Sequence, residues 1–193
     1  SAQLTDTRDN KKYWVTKLKD GNCWMTQNLA YNGGGIARVY SDEPWIRCDG
    51  WVDDNTVAQY CAVSHVDSSH TSRGNYYSWP AAMNGNIGNG NTSATEKVQG
   101  VCPDGWHLPT SSGESSFNTL VKSYGITNNS DGSSKLQASP FYFVRGGNVT
   151  ASGSANAGVF GAYWTSFGNS GAAHILYFND SSATPTGAST QFR

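Results

Sequence analysis

The side chains in this chain with the capacity for chemistry are four cysteines, four histidines and 14 carboxylates, and their spacing narrows what they can do. Cys23, Cys48, Cys61 and Cys102 include no C-x-x-C pair, the spacing of a zinc knuckle or a thioredoxin-type site. An even count in a loop-rich chain points instead to two disulfides and an oxidising compartment. Three pairings are possible. Cys48–Cys61 is favoured because it closes a short loop, worth roughly 3 kcal/mol in the chain-entropy description; that leaves Cys23–Cys102 as a long-range tie. Cys61, His65, Asp67 and His70 form a dense group of potential metal ligands. Zinc needs three or four converging, deprotonated donors, and an oxidised Cys61 is not one, so a solvated loop without metal is expected. Glu43, Asp49, Asp53 and Asp54 read likewise as solvated acidic surface. His107 would act as a general base only beside a nucleophile or a carboxylate, and the sequence places none next to it; its segment is expected to be architectural, with Trp106 and Leu108 pointing inward and Pro109 ending a strand. Phosphate-cradling glycine patterns and the G-x-S-x-G elbow are absent, so neither a cofactor nor a catalytic constellation is expected.

Aromatic faces are the other chemical resource. The chain has 7 Trp and 10 Tyr but only 2 Met, so its core must rest on aromatic rings. Trp45, Trp51 and Tyr60 stand apart from the remaining aromatic runs and are candidate ligand-binding residues, since rings stack on sugars and anchor protein interfaces. A small core belonging to their own segment is an equal alternative. Charged residues make up 14%, against roughly 25% in ordinary soluble domains; Gly, Ser, Thr and Asn take their place and give a neutral surface. A net charge of -1 leaves no basic excess to neutralise a phosphate backbone, which argues against nucleic acid. No apolar run is long enough to span a bilayer. Ser1-Ala2-Gln3 reads as a trimmed start, so any membrane attachment is expected through a segment absent from this chain.

The elements that position these residues follow from pattern. Residues 12–19 (KYWVTKLK) are rich in aromatic and β-branched side chains, Asp20-Gly21 is a hairpin signal, and 23–26 form the return strand. Residues 31–72 read as a long irregular insertion, tied by the Cys48–Cys61 bridge. Ser78 caps a short helix with Pro80 in its first turn. A helix is predicted over 111–125: Ser111 and Glu114 make a capping box, Phe117, Leu120, Val121 and Tyr124 form one apolar stripe, and Gly125 suits a left-handed C-terminal cap. Strands are predicted at 141–145, 162–165 and 174–178. Hairpin, central helices and then strands make an α+β pattern: small antiparallel sheets, one or two helices and long loops, in a single domain over 1–193.

Four segments, in order, carry a resemblance: Gly21-Asn22-Cys23-Trp24-Met25-Thr26-Gln27-Asn28-Leu29; Tyr76-Tyr77-Ser78-Trp79-Pro80-Ala81-Ala82; Val101-Cys102-Pro103-Asp104-Gly105-Trp106-His107-Leu108-Pro109-Thr110; and Tyr163-Trp164-Thr165-Ser166 with Leu176-Tyr177-Phe178-Asn179. Together they resemble the bacterial major paralogous domain called FISUMP. The resemblance implies a C-type-lectin-like fold and a secreted or surface-exposed bacterial protein, in some cases the head of a pilin-like chain. Members usually end in a strand like G-F-S-V-R-C, whose cysteine bridges to the one in the CP-GW-LP motif; this chain stops at Gln191-Phe192-Arg193. By that resemblance Cys102 lacks its usual partner, and Cys23 becomes the available one.

Phe178-Asn179-Asp180 invites comparison with the W-N-D calcium ligands of C-type lectins, which makes Asn179 and Asp180 candidate ligand-binding residues. Calcium wants more oxygens than one Asn-Asp pair, no E-P-N or Q-P-D tripeptide precedes it, and a strand ending in a turn is the preferred reading. Formylglycine-generating chemistry, also found on this fold, needs cysteines late in the chain, and here all lie at or before Cys102. The expectation is therefore a non-catalytic extracellular or cell-surface module, a pilus or surface-protein head acting in adhesion or filament assembly through self-association or a protein receptor. The alternative is a carbohydrate-binding, lectin-like domain, and an enzyme related to formylglycine-generating enzymes ranks last.

Overall fold

The computed structural model describes residues 1–32, 37–39, 58–64, 66–67, 69–85, 92–150, 153–169 and 172–189. Its first unit is the expected hairpin, widened by a strand ahead of it. β1 (Ala2–Thr5), β2 (Lys12–Lys17) and β3 (Cys23–Met25) pair antiparallel in the order β1-β2-β3. Asp20 organises the β2–β3 turn: its carboxylate accepts from the Asn22 amide at 3.3 Å and from Trp24 Nε1 at 2.8 Å. The loop closes between the Leu18 amide and the Asn22 carbonyl at 2.9 Å, wider than a two-residue turn. β1 escaped prediction because AQLT is short, polar and mostly exposed.

The segment expected to be irregular contributes a sheet. β4 (Ala37–Val39) runs parallel to β5 (Tyr60–Ser64), and β5 pairs antiparallel with β6 (Gly74–Tyr77). The reading of 31–72 as irregular is thus corrected at β4 and β5: Tyr60 and Cys61, successive residues on opposite faces of β5, are buried at 4% and 0% exposure, so this strand is covered on both sides. α1 (Trp79–Ala82) follows directly, capped by Ser78 Oγ and with Pro80 in its first turn, as predicted.

α2 (Phe117–Ser123) is shorter than the predicted helix and begins later. The cap is Ser116, whose Oγ accepts from the Thr119 amide at 3.1 Å, and not Ser111. Residues 111–115 are drawn off the helix axis because the Ser111 and Ser112 amides bond to Ala94 O and the Thr110 amide bonds to Ser115 O. The predicted stripe is right: Phe117, Leu120 and Val121 are buried. Gly125 at φ 62 ends the helix, with its amide on Lys122 O and the Ile126 amide on Val121 O, a bond pair that requires the left-handed conformation glycine adopts freely. α3 (Ser130–Gln137), unpredicted, is capped by Asn129. Its sequence, SDGSSKLQ, offers one large apolar residue, Leu136, and so no stripe.

β7 (Asn148–Thr150) and β8 (Gly153–Ala155) form a small hairpin. β9 (Gly161–Asn169), β10 (Ala172–Phe178) and β11 (Ala183–Ser189) form an antiparallel sheet in the order β11-β10-β9. Two predicted strands thus appear, lengthened. The third, at 141–145, does not: the chain bonds back onto the end of α3, Phe143 amide to Leu136 O and Tyr142 amide to Ala138 O, and Tyr142 takes φ 56. Its aromatic residues serve packing one at a time rather than as a strand face.

Two buried clusters hold these pieces together. One joins Leu18 and Trp24 of the first sheet to Phe117, Leu120 and Val121 of α2, Leu136 of α3, and Leu176 and Phe178 of β10. The other centres on Trp79, with Met83, Val98, Leu108 and Ala173. The architecture is small α+β, with small mainly antiparallel sheets and few helices. No helix among the described residues is long and apolar enough to cross a membrane.

Candidate functional site

An open space with largely aromatic walls lies beside β3. It has a volume of about 620 Å³, within the range of ligand-binding clefts. Every residue from 22 to 29 touches it. Successive residues of a strand face opposite sides, so a cavity in contact with all of them lies against the strand's edge rather than its face. The opposite walls are Tyr76 and Tyr77 of β6, Trp106 and His107, residues 141–144 and 146–149, and Ala162, Tyr163 and Trp164 of β9. The four segments that carry the family resemblance therefore meet around one cleft.

Four of the aromatic walls use their polar ends within the protein. Tyr76 Oη donates to Gly146 O at 2.5 Å, Tyr77 Oη to Tyr31 O at 2.8 Å, Tyr163 Oη to Val144 O at 3.0 Å and Trp164 Nε1 to Tyr77 O at 2.8 Å. Burial pushes the Tyr163 hydroxyl up to about 12 and raises Tyr77 well above its ordinary value, so both stay protonated donors. Among the described residues of the lining there is no Asp or Glu, and Arg73 is the one permanently charged side chain.

His107 lines the cleft, with Nδ1 2.7 Å from Leu108 O. A carbonyl only accepts, so Nδ1 carries the proton and Nε2 is the acceptor nitrogen. No hydroxyl, thiol or carboxylate among the described residues hydrogen-bonds to this ring. The segment around it is not the expected strand: the Trp106 amide closes a turn onto Pro103 O, Leu108 enters the Trp79 cluster, and Trp106 stays half-buried on the cleft.

The expected Cys23–Cys102 disulfide is absent, and both residues are free. Both line the cleft, in different settings. Cys23 is exposed at the start of β3. The Cys102 thiol packs against the Trp79 cluster, and burial pushes it up to about 12. Cys61 is disulfide-bonded, while Cys48 lies outside the described residues.

The remaining candidates are scattered. Trp45, Trp51, Glu43, Asp49, Asp53, Asp54 and His65 lie outside the described residues. Tyr60 is buried against Tyr77, ring centroids 6.1 Å apart, which corrects its reading as an exposed stacking platform. Asn179 sits in the β10–β11 turn, where its Oδ1 accepts from the amides of Ser181 and Ser182 at 2.9 and 3.0 Å. Asp180 pairs with Arg145. Asn179 thus serves the turn and Asp180 an ion pair, and no group of three or more metal-ligating side chains occurs among the described residues. Asp67 Oδ1 accepts from the Lys12 amide, and His70 is stacked between Trp14 and Tyr142 at 5.1 and 4.1 Å.

The cleft was missed at the sequence level because its residues come from five separate stretches. The signal that could have found it is the density of Trp and Tyr within the short motifs, more than one closed core of this size can enclose. Comparison with protein-family models, with curated proteins and with solved structures returns no match.

Proposed function

We propose that this chain is a non-catalytic extracellular binding module of the C-type-lectin-like class, related to the FISUMP domain, acting as the head of a pilus or surface protein in adhesion or filament assembly. The observation that carries this reading is the cleft itself: about 620 Å³, largely walled by aromatic side chains and with no carboxylate among the described lining residues. General acid–base chemistry needs a positioned proton donor and acceptor, and His107 hydrogen-bonds only to a main-chain carbonyl. The disulfide at Cys61 and the low charge of 14% support an extracytoplasmic setting. The glycan alternative is weaker, because sugars are held by directed hydrogen bonds as well as stacking, and the hydroxyls of Tyr76, Tyr77 and Tyr163 are already engaged.

The test pairs sedimentation velocity over a concentration series with a glycan array run in calcium and again in chelator. Concentration-dependent association that disappears in Ala162→Trp, a variant that fills the cleft, is the expected result. Calcium-dependent glycan binding that survives Ala162→Trp would replace this reading with the lectin one.

A further inference from the structure

Resting on that binding reading, the geometry points to the class of partner: we propose that the cleft receives an extended, mainly apolar peptide segment from another chain, which adds as a strand to the free edge of β3 and brings a carboxylate to Arg73.

The argument begins with the main chain. Thr26 donates to Trp14 O and Leu18 donates to Asn22 O. In an antiparallel pair the bonded residues alternate, so with Thr16 opposite Trp24 the bonded pairs are Trp14 with Thr26, Thr16 with Trp24 and Leu18 with Asn22. Cys23 and Met25 then direct their amides and carbonyls away from β2. The sheet order ends at β3, so no strand among the described residues pairs with that side, and Cys23 and Met25 both line the cleft. In the open cleft water can bond these main-chain groups, but an occupant that fills the apolar walls displaces that water and must bond them itself, or lose about 1–3 kcal/mol for each. An acyl chain fills apolar space but offers nothing to an amide. A sugar offers hydroxyls, but little apolar surface for Phe143, Val149 and Ile175, which also line the cleft. An extended peptide supplies both, amides and carbonyls along the edge and side chains for the walls, which is how strand addition recognises partners.

Charge supplies the second requirement. The described lining residues include no carboxylate, and the Arg73 guanidinium makes no ion pair with a described residue. Arg73 stands at the end of the cleft marked by Asn28, whose Nδ2 donates to Arg73 O at 3.1 Å. A segment with Asp, Glu or its own C-terminus at that end is complementary; one with Lys or Arg there is not.

The probe is a phage-displayed random decapeptide library panned on the intact domain, followed by titration of the best synthetic peptide. The expected consensus alternates apolar residues and carries one acidic group at an end. Methylating the peptide's amides at one alternate set of positions is expected to weaken binding about tenfold or more per methyl, and methylating the other set about twofold or less, because only one set faces β3. Arg73→Gln is expected to weaken the acidic peptide about fivefold and leave its amide counterpart unchanged. Equal losses for both methylation sets overturn strand addition. If no peptide is selected but dansyl-undecanoic acid binds saturably and Ala162→Trp expels it, the peptide inference falls and the binding module stands. If neither probe binds, no glycan binds and the domain sediments as a monomer throughout, both fall. Thermal melts of Arg73→Gln and Ala162→Trp guard against loss of folding as the cause.

Discussion

Two regions of this molecule are built from the same side chains and end differently. Under α2, Phe178 interlocks with Leu120, Leu136 and Leu176, all wholly withdrawn from water, while Trp24, Phe117 and Phe141 form the border of this core with the cleft. On the other side of β3 and β9, Met25, Trp106, Tyr76, Tyr163 and Trp164 surround open space. Composition does not separate the two. The first region has a helix carrying Phe117, Leu120 and Val121 into the gap between sheets. In the second, residues of β3, β6 and β9 and several loops wall a space that no described element fills. An aromatic-rich segment therefore predicts burial only where some element arrives to cover it.

The cysteines give the sharpest measure of that contrast. Cys23 is at the cleft edge in contact with solvent, whereas the Cys102 thiol is pushed up to about 12 by burial. At pH 8 its thiolate fraction is about one in ten thousand, and the thiolate is the reactive form. Alkylation of the native protein by iodoacetamide, followed by peptide mapping, should modify the exposed Cys23 at least about tenfold faster than Cys102, with the gap closing in urea. Comparable native rates would mean that the Trp79 cluster is open to solvent as the cleft is.

Truncations should divide the same way. Phe178 is fully buried and stacks near Tyr163 and Phe143; Phe178→Ala is expected to lose about 3–5 kcal/mol in urea denaturation. Trp106→Ala removes a half-buried ring that borders empty space and should lose less than about 1 kcal/mol. Should the Trp106 variant lose as much as the Phe178 variant, the cleft is a core and not a site.

Crowding tests the seam between the regions. A Cβ on Gly168 would stand 2.6 Å from the Trp79 ring, nearer than real contacts come. Trp79 is itself fixed, its Nε1 donating to Thr165 O at 3.1 Å. Gly168→Ala should therefore lose about 1–3 kcal/mol, from overpacking, and a melting temperature equal to wild type would show that the indole has room to move.

How much of this was legible in advance follows from the range of the signals. Gly125, the stripe of α2 and the Ser78 cap were readable because each lies within one or two turns of chain. The start of α2 was misjudged because Ser111 and Ser116 both offer a capping hydroxyl, and the choice is made by Ala94 O, distant in sequence. The residues 141–145 look like a strand, but their partner is the end of α3, whose own sequence is nearly silent. The Cys23–Cys102 tie failed for a related reason: parity and spacing do not reveal that one thiol stands in solvent and the other in a core. Cleft and core draw on the same motifs, and only the placement of edges tells them apart.

The smallest effect concerns the strut that fixes one wall of the cleft to the first sheet. Asp6, 1% exposed, accepts from Arg8 Nε at 2.8 Å and Nη2 at 2.6 Å. Arg8 Nη1 donates to the carbonyl of Cys102 at 3.2 Å, and the guanidinium lies 3.7 Å from the Tyr31 ring centroid. The hydrogen bond from Arg8 holds the Asp6 carboxyl below its ordinary value. A group depressed on folding contributes stability above its unfolded pKa, about 3.9 for Asp, and loses it as pH falls through the lower folded value. Asp6→Asn should thus lose about 1–2 kcal/mol at pH 7, discounted for the partial exposure of Arg8 at 23%. The gap to wild type should shrink below about pH 4, as first the unfolded chain's carboxyl and, at lower pH, the native one takes up a proton. Melting curves of both proteins from pH 7 to pH 2 measure this directly. A constant gap across the range would show that Asp6 holds the cleft wall by shape and hydrogen bonding, with no contribution from its charge.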